Sequence, residues 1–157
     1  MPHIHELIDF TVSAFIFHND RVLLIHHKKL DSWMQIGGHV ELDEDTDEAL
    51  IREIKEECGL DVHVLAEVAP CQASSHVKPL LRPHFVNIHA IGQTHRHLDL
   101  SYVCLSDSDA VVLEDAHNDI GWFSEEEVRA LPTGQIFDNV RELVLAAFPI
   151  ARGAKVR

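Results

Sequence analysis

A helix with a marked start and stop, carrying carboxylates where helix physics disfavours them, constrains this chain more than any other stretch. It lies within Gly38–Leu60, GHVELDEDTDEALIREIKEECGL. Thr46 is a good N-cap, Asp47 and Glu48 suit a first turn, and Gly59 is a good stop. A helix is therefore expected over about residues 47–57. At about 100° per residue, Leu50, Ile51 and Ile54 cover one side, and Glu53, Glu56 and Glu57 form an arc on a different side. Glu48 and Arg52 sit between them, spaced for an ion pair. Carboxylates near a helix C-terminus oppose the macrodipole by roughly 0.3–1 kcal/mol each, and they repel one another at these spacings. A solvated acidic face would accept that cost with no return. A divalent cation removes it, because hard ions such as Mg2+ take carboxylate oxygens and keep waters for a phosphate partner. On the helix alone both readings stay open.

The 157 residues suffice for one domain with one real core, and 46% apolar with 25% charged residues is ordinary globular material. No apolar run approaches a membrane span, and no charged-then-apolar signal segment opens the chain, so a cytoplasmic protein is expected. A formal net charge of −13 excludes a broad basic surface for nucleic acid. An anionic phosphate substrate would need metal ions or a few local cations. Cys58, Cys71 and Cys104 are odd in number and show no paired-ligand spacing, which points to reduced thiols. The thirteen histidines are scattered rather than clustered in a tract.

Along the chain, Phe10–Phe17 and Arg21–His27 read as strands of a hairpin turning at His18-Asn19-Asp20. Val62–Val68 reads as a further strand. Pro70–Pro83 is a long loop whose Lys78 and Arg82 can meet phosphate or simply be solvated. His84–Ile91 and His95–Leu105 read as two strands joined by Gly92-Gln93-Thr94. Pairing Ile91 with His95 sets His89 opposite His97 and Asn87 opposite Asp99. One face is then Val86, Ile88, Leu98 and Leu100, expected to be core. The other is Asn87, His89, His97 and Asp99: a solvated sheet face, the lining of a substrate cleft, or a transition-metal site. Ser106–Asn118 is an acidic loop with a short apolar run, Val111–Leu113. Ser124 and Glu127 form a capping box for a helix that ends at Leu131-Pro132. Asp138 caps a last helix, Asn139–Phe148, with Val140, Leu143, Val144 and Ala147 at core spacing, and the tail from Ala151 is expected to fray. Mixed strands, a long helix after the third and a helical C-terminus suggest an α/β fold, an α/β/α sandwich with a mixed sheet.

The spacing Gly38, Glu44, Arg52-Glu53-Ile54, Glu56-Glu57, Gly59-Leu60 resembles, at every fixed position, the signature box of the Nudix (MutT-like) hydrolases. Flanking features are similar too: Trp33 ahead of Gly37-Gly38, though Ile36 replaces the usual proline, and Asp119-Ile120-Gly121-Trp122-Phe123 late in the chain. The resemblance implies a single Nudix domain over residues 1–157, with the box as a loop–helix–loop. It implies a metal-dependent pyrophosphohydrolase that cleaves the diphosphate of a nucleoside diphosphate-X substrate, with Mg2+ or Mn2+ as cofactor. The metal ligands it implies are Glu53, Glu56 and Glu57 with a main-chain carbonyl of Gly37 or Gly38; Arg52 orients carboxylates, and Glu44 assists. A catalytic base from a late loop would be Glu114, Asp115 or Asp119. Substrate contacts would come from outside the box: His89, His97, Asn87, Asp99, Lys78 and Arg82. The partner implied is a small nucleoside diphosphate derivative, with no membrane and with a homodimer compatible. The competing readings are a non-catalytic module of the same fold that binds a nucleotide or metabolite, a histidine-rich transition-metal protein, and an isomerase of prenyl diphosphates on the same fold.

Overall fold

The computed structural model describes residues 6–112, 114–115 and 117–154. The architecture follows from one strand, β1 (Ile8–His18), whose alternating side chains feed two cores. Val12, Ala14 and Ile16 enter one core and Phe15 and Phe17 the other, all buried. Asn19 and Asp20 take left-handed φ values of 46° and 62°, and this two-residue turn delivers β2 (Arg21–His27) antiparallel to β1. There follow β3 (Ser32–Met34), β4 (Ile36–His39), α1 (Thr46–Cys58), β5 (His63–Val64), β6 (Phe85–Ile91), β7 (His95–Leu105), β8 (His117–Phe123), α2 (Glu125–Ala130) and α3 (Asp138–Ala154). The strand order is β3-β2-β1-β7-β5, with β4 beside β1, β6 beside β7 and β8 beside β2. Strands β1 and β7 run parallel and the other pairs antiparallel, so the sheet is mixed.

Helix α1 covers the Val12 face through Ala49, Leu50, Ile54 and Cys58. Helix α3 covers the Phe15 face through Val140, Val144, Ala147, Phe148 and Ala151. The result is an α/β/α sandwich.

Several expectations are corrected. The N-cap of α1 is Asp45, not Thr46: its carboxylate accepts from the Asp47 and Glu48 backbone while Glu48 returns to the Asp45 N–H, a reciprocal box that Thr46 lacks. Ile51 is 46% exposed, and Glu57 is buried beside Leu50 and Ile54 instead. Glu48 is spent on that cap, and Arg52 turns to other acids. The expected strand Val62–Val68 shrinks to β5: His63 and Val64 pair with β7, the Leu65 N–H still donates to the Val103 carbonyl, and beyond it Val68 makes an isolated bridge to Leu81.

The hairpin register is the one counted from the turn, yet Val86 and Ile88 are 59% and 48% exposed rather than core. Leu98 and Leu100 on the same face are only half-buried, Leu100 against the α1-side core. The hairpin reaches past the end of the layer that α1 covers. Helix α3 runs on through Pro149 to Ala154 instead of stopping at Phe148. Phe148 packs edge-on against Phe17 at 4.9 Å, and Arg152 in the last turn bonds both Asp20 and Glu125. These contacts offset the backbone bond that proline forfeits. Residues 1–5, Leu113 of the apolar run and the tail beyond Ala154 lie outside the described residues.

Candidate active site

The site begins with a close backbone approach. Gly37 lies against β1 with φ of 152°, and a Cβ there would stand 2.1 Å from the Val12 carbonyl oxygen, so only glycine fits. This places the Gly37 N–H 2.8 Å from Oε2 of Glu57, which α1 projects inward at 8% exposure. At Gly38 a Cβ would stand 2.3 Å from Oε1 of Glu53, so that carboxylate lies against the β4 backbone. Arg52 ties the acids together. Its Nε and Nη2 donate to the two oxygens of Glu44, at 2.5 and 3.0 Å, and its Nη1 to Glu53 at 2.8 Å and Glu56 at 3.0 Å. Nη2 also donates to the His39 carbonyl at 3.0 Å, pinning the helix to the end of β4. A planar fork can serve this many acceptors; an ammonium cannot.

The electrostatics record crowded carboxylates. Burial pushes Glu57 up to about 8, with Glu53, Glu114 and Glu56 adding repulsion and the Gly37 N–H opposing. Burial also raises Glu53, against the pull of Arg52. Glu44 is held below the usual carboxylate range by its bonds from Arg52. On the far side of Glu57 lies a residue the sequence did not single out. His117 is 5% exposed, with Nε2 3.1 Å from Glu57 Oε1 and 3.8 Å from Glu114 Oε2. Its Nδ1 is buried with no hydrogen-bond partner among the described residues. Burial lowers this imidazole below the usual histidine range, which favours its neutral form. Its only sequence signal was a place just ahead of the Asp119–Phe123 strand.

The Glu53, Glu56 and Glu57 carboxylates with the adjoining Gly38 backbone fit a hard divalent cation. They are oxygen donors, and a cation would favour the ionised forms of Glu53 and Glu57, which burial disfavours.

A cavity of about 270 Å³ opens beside Glu57, lined also by Thr11, Ser13, His89, His97 and Asp99. Its floor is built by register: Thr11 pairs with His39 on one side and Asp99 on the other. Asp99, 5% exposed, accepts from Thr11 and Ser13 hydroxyls at 2.8 Å each and from Ser101 at 2.6 Å. Asn87 Oδ1 lies 2.9 Å from His89 Nδ1 and orients that ring. The hydroxyls of Thr11 and Ser13 were readable as two polar residues, i and i+2, in an otherwise apolar strand.

Lys78 and Arg82 are not brought to this cavity: Lys78 pairs with Asp45 and Glu48, and Arg82 with Glu67. Of the late acids only Glu114 reaches the Glu57–His117 cluster. Asp115 offers its carbonyl to Lys28, and Asp119 bonds the next backbone N–H. A second, larger cleft of about 550 Å³ between β5 and the end of α3 has no carboxylate among the described residues that line it.

A family model for the NUDIX domain matches residues 8–142. Among solved structures the chain is similar to a NUDIX-family hydrolase from Clostridium perfringens, at 28% identity and a TM-score of 0.77, over 91% of this chain and 97% of that one. It is similar to a MutT NUDIX hydrolase from Burkholderia pseudomallei, at 23% identity and a TM-score of 0.65, over 90% and 98% of the two chains. It is also similar to an ADP-ribose pyrophosphatase from Streptococcus suis, at 21% identity and a TM-score of 0.55, over 88% and 90%.

Proposed function

We propose, on the premise that this chain belongs to the NUDIX family and hydrolyses a pyrophosphate bond, that its substrate is a nucleoside diphosphate-X compound. In this reading the reaction depends on Mg2+ or Mn2+ held by Glu53, Glu56, Glu57 and a Gly38 carbonyl. The observation that carries it is Glu57: a buried carboxylate pushed up to about 8, fixed by the Gly37 N–H and opening on a 270 Å³ cavity. A module that only binds would have no use for so unfavourable a carboxylate.

When bound, the cation supplies charge neutralisation, polarisation of phosphorus and a water of lowered pKa. The rest falls to the chain. Arg52 holds Glu44, Glu53 and Glu56 in one array, so that they need not reorganise as charge develops. The Gly37 N–H fixes one oxygen of Glu57, and His117 faces the other. Glu114, the late acid beside this pair, is the group we assign to take a proton from the attacking water. His89 and His97 line the cavity where X would sit, over the floor made by Asp99 and the strand hydroxyls.

The test pairs substitution with a substrate panel. Glu57→Gln should cut Mg2+-dependent pyrophosphohydrolase turnover by orders of magnitude while the circular dichroism spectrum is unchanged. Wild-type turnover in that variant sinks the assignment. The panel of dNTPs, ADP-ribose, dinucleoside polyphosphates, nucleotide sugars and capped or triphosphorylated RNA, each with Mg2+ and Mn2+, identifies X. Glu114→Gln should lower kcat by about 100-fold or more with the fold intact; an unchanged kcat moves the base elsewhere.

A further inference from the structure

Apart from the carboxylates of α1, the sheet face that floors the cavity gathers a second set of metal-ligating side chains. The strand register puts Asp9 opposite His97, and Thr11 between His39 and Asp99, so Asp9, His39, His95 and His97 all project from one side. His95 Nε2 lies 2.5 Å from Asp9 Oδ2, and His39 Nε2 lies 3.5 Å from the same oxygen. One ligand atom each from Asp9, His95 and His97 fall within 4.8 Å of one another. The His97 ring meets the His39 ring edge-on with centroids 4.8 Å apart and the His95 ring at 5.9 Å.

We infer that Asp9, His39, His95 and His97 form a site for a borderline-soft divalent cation of the Zn2+ class, separate from the carboxylate site on α1. Three imidazoles and one carboxylate are the donor chemistry such ions prefer, and a hard ion such as Mg2+ does not. A tetrahedral ion with metal–ligand lengths of about 2.0–2.1 Å needs its ligand atoms roughly 3.3 Å apart. The separations from Asp9 Oδ2, 2.5 Å to His95 and 3.5 Å to His39, lie on either side of that value. The frame is rigid, because the four residues stand on three hydrogen-bonded strands rather than on a loop.

The surplus of acidic over basic residues, 26 against 13, adds a general attraction for cations. His39 follows Gly38 directly, and His39 and His97 both line the cavity. A bound ion would therefore stiffen the cavity wall opposite Glu57.

The probe is Zn2+ itself, titrated calorimetrically into untagged, chelator-stripped protein in excess Mg2+, which occupies the oxygen site. One equivalent should bind, and Glu53→Gln should leave that binding in place. His95→Gln and His97→Gln should each weaken it by about 100-fold or more. Co2+ should give the intense visible absorption of a tetrahedral site in the wild type and lose it in His97→Gln. Asp9→Asn, an isosteric change, serves if a histidine variant does not fold. Zn2+ binding that survives these substitutions, or that Glu53→Gln or Mg2+ abolishes, places the ion in the box and overturns the site. This readout does not depend on catalysis, so it stands or falls separately from the hydrolytic reading.

Discussion

At the residue scale, Glu57 and Gly37 are one device. Gly37 brings its N–H to the carboxylate because it alone can pack against the Val12 carbonyl. Gly37→Ala must displace backbone, and a loss of roughly 2–4 kcal/mol in urea unfolding is expected. Gly92→Ala, where a Cβ meets open space, should cost only about 1–2 kcal/mol, from its φ of 67° alone. Glu57 also makes stability depend on pH. Its folded pKa of about 8 lies above the ordinary 4.5, so the folded chain holds the proton more tightly than the unfolded one. Metal-free protein should then be most stable below pH 4.5, as far as this group is concerned, and lose that contribution as pH rises toward 8. Unfolding midpoints measured across that window should slope downward. Glu57→Gln should flatten the slope, and so should Mg2+, which favours the ionised form. A slope unchanged in Glu57→Gln would mean that another group sets it.

At the scale of elements, α1 is a short helix whose ends decide its placement. Asp45 caps it, closes a box with Glu48 and pairs with Lys78 from the long loop. Asp45→Ala should cost about 1 kcal/mol through the lost cap. Lys78→Ala should cost less, since its pair is exposed. Comparing the two in denaturant melts separates cap from ion pair. Helix α3 shows the opposite case, an element continued past its local stop signal. Pro149 forgoes a backbone bond, and Arg152 and Ala151 hold the final turn through tertiary contacts.

At the scale of the molecule, two cores share one sheet. Phe148 and Phe17 join α3 to the centre of β1 on the face away from α1. Phe148→Ala should destabilise the whole domain by about 3–5 kcal/mol, read as a single shifted unfolding transition. Activity per folded molecule should be little changed, because the site is built on the other helix and on the ends of β1, β4 and β7. A variant that stays stable but loses turnover would show that the two layers are coupled.

The sequence by itself determined the helix, its chemistry and much of the sheet. The Arg52-Glu53 and Glu56-Glu57 spacing, the β2 limits and the β6–β7 register are local patterns, set by helical and strand periods and by turn residues. The inverted exposure of that hairpin was illegible, because periodicity tells which side chains share a face and not which face the next layer covers. His117 and Asp9 were illegible for the same reason. His117 meets Glu57 across 60 positions, and Asp9 meets His95 across 86. The parallel pairing of β1 with β7, the antiparallel pairing of β8 with β2 and the packing of α1 against β4 decided those meetings. Contacts between distant segments follow from which surfaces bury each other, and no single stretch of chain contains that information.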